Sequence, residues 1–177
     1  MIKPRKKRIG ILGGSFDPPH HGHLEISKLA IKKLFLDQVY WCVTKKNPFK
    51  NKTFFPLPDR IEKSKVITNK VEKIKIKFFE DKIKSVNTVD LIKHLKKKNK
   101  KGTFFLIVGS DNLIKFHKWK NWKLLLKLTE IVVFSRKDYD KKAKKSVIMN
   151  QVKKITLIKN KPINISSTQI KKKYNKS

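Results

Sequence analysis

Ile9-Gly10-Ile11-Leu12-Gly13-Gly14-Ser15-Phe16-Asp17-Pro18-Pro19-His20-His21-Gly22-His23 joins a short apolar run to an amphipathic one through small residues, prolines and histidines. The first four residues read as a buried strand, and the segment from His23 to about Phe35 reads as a helix. Gly13 and Gly14 allow a sharp turn and a close approach to a ligand, because neither carries a Cβ. A helix starting at His23 offers unpaired N–H groups and the positive end of its dipole, and His20 lies three residues upstream on the approach. Two imidazoles can then face one phosphate group. Singly, a glycine pair is only a turn and a histidine only a packed or solvated side chain. Residues 13–23 taken together point to phosphate.

Outward from this stretch, strand-like and helical patterns alternate. Val39-Tyr40-Trp41-Cys42-Val43 reads as a second buried strand, followed by a loop rich in Lys, Asn and Pro over residues 44–58. Asp59 is expected to cap a helix starting near Arg60, residues 75–79 alternate like an edge strand, and Val89, Ile92 and Leu95 mark a helix ending near Lys98. Residues 103–108 and 131–134 read as buried strands on either side of a helix at residues 122–128. A strand at residues 155–158, an extended piece at 163–165 and a closing helix from Ser167 complete the chain. This order predicts a single α/β domain over residues 1–177, a Rossmann-like, doubly wound parallel sheet. Ligands of such sheets bind beyond the carboxyl ends of the strands, where residues 13–23, 44–50, 109–111 and Arg136 all fall.

Composition sets bounds. With 177 residues the chain can bury one substantial core, and it shows neither a membrane-spanning apolar run nor a signal-peptide pattern, so a soluble cytoplasmic protein is expected. Cys42 is the only cysteine and sits in a predicted strand, which excludes an internal disulfide and a cysteine metal cage. The net charge of +33 would ordinarily suggest nucleic acid. Yet of 46 basic residues only Arg5, Arg8, Arg60 and Arg136 are arginine, and lysine fills every kind of exposed position. A solvated lysine surface with no specific nucleic-acid partner is therefore expected, one that still draws anions such as ATP toward the site.

Residues 13–23 resemble the signature of the nucleotidyltransferase superfamily, whose H-x-G-H tetrad corresponds to His20-His21-Gly22-His23. The longer pattern is similar to that of the bacterial nicotinate-nucleotide adenylyltransferase family. Ser85-Val86-Asn87-Thr88, Gly109-Ser110-Asp111 and Ile165-Ser166-Ser167-Thr168-Gln169-Ile170 agree with it in the same order. The resemblance implies transfer of AMP from ATP to nicotinate mononucleotide, giving nicotinate adenine dinucleotide and pyrophosphate for NAD synthesis. It implies catalytic roles for His20 and His23 and ATP contacts from Gly13, Gly14, Ser15, Gly109, Asp111, Arg136, Ser166, Ser167, Thr168 and Lys171. Lys50, Thr88 and Trp119 would contact the pyridine nucleotide, with Trp119 as a stacking platform, and Asp17 would brace the loop. Mg²⁺ would arrive with ATP, without a metal cage of the protein's own. Homo-oligomerisation is left open.

Two positions depart from the family pattern: Lys171 replaces an arginine, and Pro48-Phe49-Lys50 lacks a central histidine. Plainer readings stand beside several assignments. Ser166, Ser167 and Thr168 could form an ordinary helix cap, Lys50 could be solvated, Arg60 and Arg136 could pair with carboxylates, and Trp119 with Trp122 could form one face of a packed helix. Rival activities are a phosphopantetheine transferase, disfavoured by His20 in place of threonine, and adenylylation of the amide nucleotide. A basic nucleic-acid-binding module would explain the charge but not the ordered motifs.

Overall fold

The computed structural model describes residues 5–46, 52–136, 138–151, 155–160 and 165–174. Six parallel strands form one sheet: β1 (Arg8–Gly14), β2 (Gln38–Val43), β3 (Ile74–Lys77), β4 (Thr103–Gly109), β5 (Glu130–Phe134) and β6 (Ile155–Ile158). Their order is β3-β2-β1-β4-β5-β6, the doubly wound arrangement expected from the alternating pattern. The winding reverses at β1, which pairs with β2 on one side and β4 on the other. The carboxyl ends of β1 and β4 therefore border the crevice where such folds bind ligands.

Helices cover both faces because the buried strands are apolar on both. Ile9, Ile11, Leu106, Val108 and Val133 pack with α4 (Thr88–Lys98) and α6 (Trp122–Leu128), where Val89, Ile92, Leu95 and Leu125 are buried. Leu12, Trp41, Phe105, Ile107 and Val132 pack on the other face with Leu24 and Ala30 of α1 (His21–Leu34) and with α2 (Leu57–Thr68). Gly10 is needed here, since a Cβ would lie 2.8 Å from Leu36 Cδ1 and 3.0 Å from Ile107 Cδ1.

Several local expectations are corrected. α1 begins at His21, so His20 is its N-cap and His23 its third residue. Neither Gly13 nor Gly14 makes the sharp turn: both belong to β1, and the left-handed residue is Phe16 at φ 46°. Packing imposes this conformation, because the Phe16 ring stacks on Trp41 at 4.8 Å and 9°. α2 starts at Leu57, with Asp59 inside its first turn rather than capping it. The closing helix, here α9 (Ser167–Tyr174), starts where expected, whereas α3 (Glu80–Ile83), α5 (Ser110–Ile114), α7 (Asp140–Lys144) and α8 (Val147–Gln151) had no sequence signal. The extended piece expected at 163–165 lies mostly outside the described residues. Among the described residues no helix is long and apolar enough to cross a membrane.

Candidate active site

The site starts at the end of β1. Gly13 is exposed, and a Cβ placed on it would meet nothing within 4 Å, so the strand's final turn faces open space. Ser15 lies beyond it, and its carbonyl accepts from Arg60 Nη1 at 2.5 Å. Arg60 is 1% exposed and also donates to the carbonyls of Thr44 (2.7 Å), Lys45 (2.8 Å) and Phe55 (3.0 Å). Carboxylate pairing, the reading left open for Arg60, is not realised among the described residues. The Arg60 fork ties the loop after β1 to the loop after β2.

His20 and His23 lie face to face, with ring centroids 3.8 Å apart and planes inclined by 33°. The backbone N–H of His20 donates to His23 Nδ1 at 3.2 Å, which leaves the proton of the neutral ring on Nε2. Behind them Phe16 and Trp41 enclose the His23 ring at 4.9 and 5.9 Å, while Trp41 Nε1 donates to Ser27 Oγ at 2.8 Å. Burial, followed by the neighbouring His20 and Arg136, pushes His23 well below the usual imidazole range. Burial, then Arg136 and His21, brings His20 down to about 4. His20 is buried, and its Nδ1 has no hydrogen-bond partner among the described residues. Both shifts favour the neutral imidazole. A phosphate would reverse the balance by supplying the missing counter-charge.

Across the crevice, Arg136 follows β5 and donates to Asp111 Oδ2 at 3.1 Å. One reading left open for it, a carboxylate partner, is realised, and its guanidinium still stands near enough to influence both histidines. Gly109 leaves room for this pair, since a Cβ there would fall 2.4 Å from Asp111 Oδ1 and 3.3 Å from Arg136 Nε and displace both side chains. Asp111 Oδ1 is buried without a partner among the described residues, which leaves one acceptor for a hydroxyl.

The late segment reaches the same place. Ser167 Oγ donates to the carbonyl of Pro18 at 2.8 Å, and Lys171 Nζ pairs with Asp17. Asp17 also accepts the backbone N–H groups of Phe54 and Phe55 at 2.9 Å each, and thus braces the loop as expected. Ser166 Oγ accepts from Gln169 N at 3.3 Å, so this hydroxyl acts as the helix cap. Thr168 is exposed at the start of α9. Lys171, expected on phosphate, is engaged with the Asp17 carboxylate.

Thr88 is the first residue of α4, and Trp119 precedes α6. Both helices lead into strands of the sheet, which sets their starts at the carboxyl edge. Trp119 stacks on Phe116 at 4.8 Å, and Trp122 opens the next helix after Asn121 at φ 52°. The two tryptophans therefore do not share one helix face. The indole Nε1 of Trp119 is buried without a partner among the described residues. Lys50 lies outside the described residues.

The profile of the cytidylyltransferase-like family matches residues 11–173. A curated relative from Pelagibacter ubique strain HTCC1062, named probable nicotinate-nucleotide adenylyltransferase, is 48% identical over 97% of this chain and 99% of its own length. This chain belongs to the nicotinate-nucleotide adenylyltransferase family. A second member, from Ruegeria sp. strain TM1040, is 36% identical over 72% of this chain and 67% of its own. The family's fold is also found in Plasmodium falciparum nicotinic acid mononucleotide adenylyltransferase complexed with NaAD, with a TM-score of 0.78 at 23% identity, covering 94% of this chain and 83% of that one.

Proposed function

We propose that the crevice between β1 and β4 holds ATP and nicotinate mononucleotide together and that His20 and His23 stabilise the reacting phosphates. As a member of its family, the chain is an adenylyltransferase of NAD synthesis. An oxygen of the mononucleotide's 5′-phosphate attacks the α-phosphorus of ATP, a new P–O bond forms, and the bond to the β-phosphate breaks to release pyrophosphate. The nucleophile is the substrate's own phosphate, so no side chain needs to become covalent. The protein aligns the polyanions and supplies donors where negative charge builds.

The observation that carries this reading is the meeting of the early and late motifs, through Ser167 on Pro18 and Lys171 on Asp17. The neutral Nε2–H of His23 and the ring of His20 face phosphate from one side, with Gly13, Gly14 and Ser15 as the close backbone. The first N–H groups of α9, with Thr168, face it from the other, beside Ser166, Ser167 and Lys171. Arg136 contributes charge, and Gly109 with Asp111 meets the adenosine hydroxyls. Thr88, Trp119 and Lys50 are assigned to the pyridine nucleotide. Mg²⁺ is assigned to the phosphates of ATP and water, because Asp17 and Asp111 are each bound to a cationic side chain. A cytoplasmic location belongs to the same proposal, since both substrates are charged cytoplasmic metabolites.

The test is pyrophosphate release from Mg²⁺-ATP with three acceptors. Nicotinate mononucleotide should react much faster than its amide or phosphopantetheine. Equal or reversed rates would overturn the acceptor assignment.

A further inference from the structure

We propose that Asp17 is a positioning residue that seats α9 for the triphosphate through Lys171, so that ATP affinity is controlled from this carboxylate and pyridine-nucleotide affinity is not. The inference rests on the assignment of α9 to ATP above. Its starting point is that α9 buries none of its residues, whereas α1 buries Gly22, Leu24, Ser27 and Ala30. A short helix without a buried apolar stripe takes its position from the contacts at its ends and edges. Several of those contacts lead to Asp17. The carboxylate is 3% exposed, and Oδ2 receives both Lys171 and the Phe54 N–H, while Oδ1 receives the Phe55 N–H. Phe54 and Phe55 are the residues on which Tyr174 of α9 rests, at ring distances of 6.2 and 5.5 Å. One carboxylate thus fixes the ionic hold on α9 and the backbone beneath its aromatic hold.

The charges explain why a lysine is needed. Burial raises the pKa of Asp17, but the Lys171 ammonium and the two backbone N–H groups outweigh it and leave the pKa below the usual carboxylate value. An ionised carboxylate beside a triphosphate repels it unless that charge is compensated. Lys171, only 19% exposed at its side chain, supplies the compensation as well as the tether. Losing the lysine should therefore harm ATP binding more than losing the carboxylate, since only the first leaves an unpaired buried anion.

The experiment measures binding of a non-hydrolysable ATP analogue with Mg²⁺ by calorimetry, together with steady-state kinetics in both substrates. Lys171→Met should weaken analogue binding about 30-fold, while Asp17→Asn weakens it only several-fold. The double variant should bind more tightly than Lys171→Met alone. Lys171→Arg should return affinity to within about three-fold of the unaltered protein, and the KM for nicotinate mononucleotide should stay within about two-fold throughout. Amide exchange in residues 167–174 should quicken in both single variants while β4 is unchanged. Should Asp17→Asn fail to fold, Asp17→Glu, which keeps the charge but displaces the carboxylate from Lys171 and from the Phe54 and Phe55 N–H groups, takes its place, and unaltered analogue affinity and α9 exchange in that variant would overturn the proposal. A double variant as weak as Lys171→Met, unaltered analogue affinity in Lys171→Met, or an equal rise in both KM values would overturn the proposal. Failure of the unaltered protein to bind the analogue would instead overturn the assignment of this crevice to ATP.

Discussion

α1 and α9 bring two helix starts to one crevice, but α1 is anchored in the core and α9 is not. The first carries its histidines on a segment clamped by Phe16, Trp41 and Ser27, so their rings stand in one geometry before any ligand arrives. The second is held by a hydroxyl on a carbonyl, an ion pair and an aromatic contact. Under the proposed function the difference has a purpose: groups that must meet charge as it develops gain from preorganisation, while a group assigned to the distal phosphates can settle as the nucleotide enters.

The sharpest way to break this comparison is at His20. His20→Ala should lower kcat by on the order of 10²–10³-fold, the usual loss when one preorganised donor is removed. Unchanged turnover would take His20 out of the mechanism and leave α1 without the role the comparison gives it.

Arg60 comes next, because it fastens the loops on the α1 side. Arg60→Met leaves four carbonyls without their donor and should cost roughly 3 kcal/mol, seen as a fall in Tm of roughly 6–12 °C. A smaller loss than that of Ser167→Ala would reverse the ranking of the two sides.

Acid probes the same side by titration. The folded pKa of His20, about 4, lies below its unfolded value near 6.5, so the unfolded chain binds more protons between these limits. Stability should be full above about pH 6.5 and should fall as pH drops toward about 4. His20→Gln should flatten part of that decline in a series of thermal melts, the rest belonging to His23, which is lowered in the same direction. Triphosphate supplies the counter-charge, so its binding near pH 5.5 should take up protons, measurable by calorimetry in buffers of different ionisation enthalpy.

The smallest effect is expected on the loosely held side. Ser167→Ala removes the bond to Pro18 and should cost about 1 kcal/mol at most. Its trace should be a modest rise in the KM for ATP, with a fall in Tm of at most about 2–4 °C.

Much of this arrangement was legible in the sequence wherever a pattern ran long enough. α6 and β6 fall on the expected residues, and β1, β2, β4 and β5 differ only at their ends, because apolar runs bounded by turn residues are strong signals. Helices of four or five residues such as α3 and α5 left no trace, since a single turn has no periodicity. The turn assigned to Gly13 and Gly14 lies at Phe16 instead, held there by a tryptophan 25 positions later in the chain, which local propensity cannot see. Arg60 drew attention by its rarity, but its four carbonyl partners could be known only once the loops had met.

The order of apolar runs and the glycine- and histidine-bearing segment determined by themselves that the chain winds a parallel sheet and that this segment leads from its first strand into its first helix. These features are set by local sterics, periodicity and the donors each residue carries. Which charges face one another was decided only by the tertiary structure. Lys171 meets Asp17 across 154 positions and Arg136 meets Asp111 across 25, and no local pattern encodes a contact that exists only when the sheet brings its strand ends together.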